Sequence, residues 1–68
     1  MTADDPDAQH LSPDQLAERY GLPTPTIYQW RSRRTGPPGF KVGRHVRYRL
    51  ADVIAWEERQ IAQDQGAA

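Results

Sequence analysis

The sequence predicts a small α+β domain, mostly α, built as a winged helix-turn-helix: two helices, a two-stranded β-hairpin wing and a C-terminal helix. Three observations lead there. Two helical segments with start signals flank a tight turn at Gly21-Leu22-Pro23. A break rich in proline and glycine, "TGPPG", stops the second helix. After it "FKVGRHVRY" alternates apolar and basic residues, and an amphipathic segment closes the chain.

Each element has a local reason. Residues 1–10 hold three aspartates and almost no large apolar side chain, so an acidic disordered tail is expected there. In "SPDQLAERY" Ser12 is placed to cap a helix, Pro13 suits its first position, and Gln15 completes a capping box. Leu16, Ala17 and Tyr20 share one face, and Gly21 is placed to end the helix in a left-handed turn. Thr24 is read as the cap and Pro25 as the opening residue of a second helix through about Arg33, with Leu22 plugging the corner. In the hairpin, Val42 is expected to face Val46 across a Gly43-Arg44-His45 loop. That register sets Phe40 against Tyr48 and Lys41 against Arg47 and keeps the apolar face together. "LADVIAWEERQIAQD" reads as a third helix with Leu50, Val53, Ile54 and Ile61 in its apolar stripe and Trp56 on the border. The folded domain is thus expected over 11–63, with a frayed end at 64–68. Its expected core is Leu11, Leu16, Ala17, Tyr20, Leu22, Ile27, Trp30, Phe40, Val42, Val46, Tyr48, Leu50, Val53 and Trp56, with Ile61 at its margin.

Composition removes several functional classes. A chain of 68 residues without cysteine has no disulfide and no thiolate metal site. His10 and His45 lack ligand-like spacing, so no metal is expected. The apolar run "LADVIAW" is too short to cross a bilayer, and the acidic start is unlike a signal peptide, so the expected location is cytoplasmic. No Ser-His-Asp grouping, Gly-rich phosphate loop or carboxylate pair appears; no catalytic residue, no cofactor and no enzymatic activity are expected.

The net charge of zero conceals a strong segregation. Residues 19–49 carry Arg19, Arg31, Arg33, Arg34, Lys41, Arg44, Arg47 and Arg49 and no acid. Five acids precede this block, and four acids with Arg59 follow it. Such a block fits a phosphate-binding surface. At about 100° per residue, Ile27 and Trp30 fall on the core side of the second helix. Pro25, Gln29, Ser32 and Arg33 fall opposite, flanked by Thr26 and Tyr28. Hydroxyls, an amide, a phenol and a guanidinium can read base edges and hold phosphates. The first helical turn, with Thr24, adds free backbone N–H groups. In the wing, Lys41, Arg44, His45 and Arg47 repel one another, which nucleic-acid phosphates would relieve. The candidate DNA-binding set is therefore Thr24, Pro25, Thr26, Tyr28, Gln29, Arg31, Arg33, Lys41, Arg44, His45 and Arg47. Arg31 and Arg34 project toward the core side, and Glu57 interrupts the apolar stripe of the third helix, so one of these arginines is expected to pair with Glu57.

Residues 11–56, "LSPDQLAERYGLPTPTIYQWRSRRTGPPGFKVGRHVRYRLADVIAW", resemble the small MerR-like winged-helix proteins of the excisionase and AlpA type. The resemblance lies in the opening Leu-Ser, "AERYGL", "TIYQW", the Pro-Pro connector, "FKVGRHVRY" and "ADVIAW". Glu57 departs from the pattern, which often continues with an apolar residue. The resemblance implies a second helix in the major groove, a wing reaching an adjacent minor groove, and DNA-binding at "TIYQWR" and "KVGRHVR". It implies a recombination directionality factor that binds tandem sites cooperatively, bends double-stranded DNA, and biases a phage-type integrase toward excision. Neighbouring copies on DNA and the integrase are the implied protein partners. An AlpA-like transcription regulator is the alternative, and an antitoxin-like protein-interaction adaptor a third. The long dimerisation helix and effector domain of full-length MerR regulators are not expected here, so no small-molecule effector is either, and no membrane partner.

Overall fold

The computed structural model describes residues 9–66. The elements run β1 (His10–Leu11), α1 (Pro13–Tyr20), α2 (Thr24–Ser32), β2 (Phe40–Val42), β3 (His45–Arg49) and α3 (Leu50–Gly66). The fold is a winged helix-turn-helix, in which α1 packs on α2 and α3 packs on β3. The sheet has three antiparallel strands in the order β1-β3-β2, one more than expected. The added strand pairs His10 with Arg49 and Leu11 with Tyr48. The Leu50 amide also donates to the Gln9 carbonyl (3.1 Å), so regular structure begins inside the segment read as a tail. The rest of that acidic segment, residues 1–8, lies outside the described residues, as do residues 67–68. Residues 64–66 are helical rather than frayed.

Helix α1 forms as its sequence directs. The Ser12 hydroxyl accepts from the Gln15 amide (3.1 Å), and the Gln15 side chain accepts from the Ser12 amide (2.9 Å). At the other end Gly21 sits at φ 67°, and the Gly21 and Leu22 amides donate to Glu18 and Ala17. That is a Schellman ending, which needs a left-handed residue at its pivot. Helix α2 starts one residue sooner than expected: Pro23 is the cap, with no side-chain cap bond, and Thr24 and Pro25 are already helical. Proline at the cap fixes φ, and its carbonyl accepts the Thr26 amide (3.0 Å), so Thr24 has no capping task. The helix ends in a second Schellman pattern, with the Thr35 amide on Trp30 (2.8 Å) and the Arg34 amide on Arg31 (3.2 Å). Here the left-handed pivot is Arg34, at φ 57°.

Leu16, Ala17, Ile27, Val46, Tyr48 and Val53 are buried, with Leu11, Tyr20 and Trp30 packed against them. Tyr20, Trp30 and Trp56, one from each helix, form a closed triangle with ring centroids 5.5–6.1 Å apart. Such tilted pairs add attraction beyond their buried area. Gly36 lies on this triangle: a Cβ there would stand 2.7 Å from the Trp30 ring.

Several expected core residues are outside. Leu22, Phe40, Val42 and the marginal Ile61 are all exposed, as is Ile54 of the expected apolar stripe of α3. For Phe40 and Val42 the reason is register. The hairpin closes on two residues, Gly43-Arg44, with Gly43 at φ 63°, a conformation open to glycine at the first turn position. Val42 therefore pairs with His45, Lys41 with Val46, and Phe40 with Arg47. Side chains directly opposite share a face, so this one-residue shift moves Phe40 and Val42 to the side away from the buried Val46 and Tyr48. It also separates Lys41 from Arg47, so the expected like-charge pair does not form.

Candidate nucleic-acid interface

Helix α2 presents a polar outer face. Ile27 is fully buried and fixes the rotation of the helix, and Trp30 joins the core from the next turn. Pro25, Gln29, Ser32 and Arg33 are exposed, as the 3.6-residue period requires. Tyr28 is 53% exposed beside them. Thr24, Thr26 and Arg31 are half-buried, at the margin between this face and the body.

Two of the eight cations in the basic block are already committed. Arg19 grips Glu57 through two nitrogens (Nε–Oε2 2.6 Å, Nη2–Oε1 2.8 Å), and the Tyr20 hydroxyl donates to the same carboxylate (2.5 Å). The hydrogen bond from Arg19 holds the Glu57 carboxyl below its ordinary range, against partial burial. Burial, then the bond to Glu57, raises the Tyr20 phenol. Glu57 thus pairs with α1, not with Arg31 or Arg34 as expected. The C-terminal turn of α1 brings both Arg19 and Tyr20 to Glu57, a relation between distant segments that no helical wheel contains. Arg49 is tied to Asp52 in the first turn of α3 (3.1 Å). Among the described residues no acid pairs with Arg31, Arg33, Arg34, Lys41, Arg44 or Arg47.

Three of these six cations line two clefts. Arg31 and Arg34 line a cleft of about 400 Å³ beside Tyr48 and the Gly36–Gly39 connector. Arg47 and His45 line a second, of about 320 Å³, on the outer face of the sheet with His10, Phe40 and Val42. There His10 meets Phe40 edge to face at 5.8 Å, and the Arg47 guanidinium donates to the Val46 carbonyl (2.7 Å). Lys41 and Arg44 are exposed along the wing and at its tip. Tyr48 joins the two regions. It belongs to the wing's central strand, yet Arg31 and Tyr28 of α2 both act on its phenol, whose ionisation burial makes harder.

Residues 11–61 match the family described as "Helix-turn-helix domain". The chain belongs to this helix-turn-helix domain family. The match covers α1, the turn, α2, the hairpin and most of α3. Comparisons with curated proteins and with solved structures found no match. This helix-turn-helix domain is a small DNA-binding protein. No helix of it is long and apolar enough, among the described residues, to cross a membrane. Likewise no group of three or more metal-ligating side chains occurs among them.

The helical period alone places the outward residues of α2. It does not show that Phe40 and Val42 stand out from the wing, nor that Arg59 joins Arg31 and Arg34 at one cleft. Arg59 lies in the acidic C-terminal segment, so no charge count along the chain could connect it with α2.

Proposed function

We propose that this domain is an excisionase-like recombination directionality factor, which binds and bends attachment-site DNA and promotes integrase-mediated excision without catalysing a reaction itself. One observation carries the reading: the exposed polar face of α2 stands with six block cations that no described acid neutralises. Helix α2 lies in the major groove, where Thr26, Tyr28 and Gln29 read base edges and Thr24, Pro25 and Arg33 approach the backbone. The wing's Lys41, Arg44, His45 and Arg47 hold phosphates at the neighbouring groove. The exposed Phe40 and Val42 beside these cations suit a wing that presses an apolar surface on the duplex. Neighbouring copies bind tandem sites cooperatively, and the integrase is the enzyme partner, in the cytoplasm.

The resemblance of residues 11–56 to excisionase and AlpA-type proteins supports the recombination role. The test is footprinting across a candidate attachment site with and without integrase, joined to an excision assay. Protected sites repeated in phase with the helical turn, and excision that depends on this protein, are the expected results. A lone protected promoter site with no effect on excision makes the protein a small AlpA-like transcription regulator instead. Absence of duplex binding at low salt points to the adaptor role.

A further inference from the structure

The cleft at the end of α2 has a third arginine, contributed by a different helix. Arg31 and Arg34 from α2 and Arg59 from α3 line it together, with Thr35, Tyr48 and the connector. No acid lines the cleft. None of the three guanidiniums has an ion-pair partner among the described residues. Two acids of α3 are used elsewhere: Glu57 by Arg19 and Tyr20, Asp52 by Arg49. Three like charges around one concavity without a described counter-ion suit an incoming anion.

The chemistry favours a phosphate. A guanidinium presents paired N–H donors that match phosphate oxygens. The Tyr48 hydroxyl has no hydrogen-bond partner among the described residues, and burial keeps it protonated and able to donate. Arg34 holds a left-handed conformation that glycine usually takes at this position of a helix end. An arginine held there carries a strain that glycine would not. Ser32 and Arg33, exposed on the outer face of α2, lie between Arg31 and Arg34 in the chain.

We propose that Arg31, Arg34 and Arg59 form a seat for one backbone phosphodiester of the bound duplex, so that α3 is part of the DNA interface. This rests on the reading of α2 as the helix that meets DNA. Arg59→Gln and Arg59→Lys are compared with the parent chain in duplex binding over a range of salt. Residue 59 is exposed, so both variants retain the fold. Arg59→Gln is expected to lower the slope of log K against log salt by about 0.9, the value of one phosphate contact. Arg59→Lys is expected to restore the slope, with base preference unchanged in both. The Nε signals of all three arginines should shift on adding duplex. A parent-like slope in Arg59→Gln, while the parent binds duplex, overturns the proposal. So do Arg59 signals that move with inorganic pyrophosphate and not with duplex, which assign the seat to a free phosphate ligand. So do signals that move only with an acidic peptide, which assign it to a protein. Failure of the parent to bind any duplex is seen in the same titration. It removes the reading of α2 together with this seat.

Discussion

Arg19 and Glu57 clasp each other with two hydrogen bonds of 2.6 and 2.8 Å, joining the first helix to the last. Tyr20, the next residue along α1, completes the carboxylate's set and at the same time forms one corner of the aromatic triangle. Glu57 is therefore a polar lid on an apolar cluster. Its charge is accepted there because the donors are already in place.

Glu57→Gln should cost about 1 kcal/mol, a figure discounted because Arg19 is 38% exposed and screened by water. The pH dependence has a definite sign. The folded carboxyl is held below its unfolded value, so its contribution is complete above the unfolded carboxylate range. It is lost as pH falls through the folded value. Urea midpoints measured from neutral to acid pH should decline more steeply in the parent than in Glu57→Gln. Equal acid limbs would remove the pair from the stability account.

Arg19 should be dispensable for DNA. Its guanidinium is occupied, so Arg19→Gln should leave the salt slope of duplex binding unchanged. Arg44→Ala or Arg47→Ala should each lower that slope by about 0.9. Gln29→Ala or Thr26→Ala should instead alter base preference more than non-specific affinity. Competition with random duplex separates the two behaviours, and a shallower slope in Arg19→Gln would show the clasp opening on DNA.

Arg34→Gly should change stability and binding in opposite directions. Glycine relieves the left-handed strain and should stabilise the fold by about 1 kcal/mol. It also removes a cation from the α2 cleft, so duplex affinity should fall. Thermal melting and binding on the same preparation check both signs. A loss of stability would mean that the arginine side chain itself supports the helix end.

Trp30→Ala should cost about 3–5 kcal/mol, because Trp30 meets both Tyr20 and Trp56 and packs under Gly36. A domain of this size has little stability to spare, so much of the population should unfold. An unchanged melting curve would contradict the triangle.

The register can be checked by a matched pair. Val46→Ala should cost about 2 kcal/mol, since Val46 is 9% exposed in the core. Val42→Ala, at a position 55% exposed, should stay within about 0.5 kcal/mol. Equal costs would instead indicate the register that buries both.

Local signals in the sequence were read well because they act locally. The Ser12–Gln15 box, the Gly21 ending and the break at "TGPPG" each depend on a few neighbouring residues, and Ile27 set the facing of α2. Alternation in "FKVGRHVRY" identified the hairpin but could not count the residues in its turn, and two in place of three reversed the placement of Phe40 and Val42. The strand at His10–Leu11 was invisible because two residues have no periodicity and gain their pairing only from Arg49 and Tyr48. The Arg19–Glu57 clasp and the cleft shared with Arg59 join residues distant in the chain, where charge along the sequence carries no information.

The tip at Gly43-Arg44 works like the pitch of a screw thread. Inserting one residue there would hand the interior to Phe40 and Val42 and turn Lys41 outward with Arg47 beside it. Homologous chains whose tips differ by a single residue can thus show opposite chemistries to the same partner while every strand keeps its sequence.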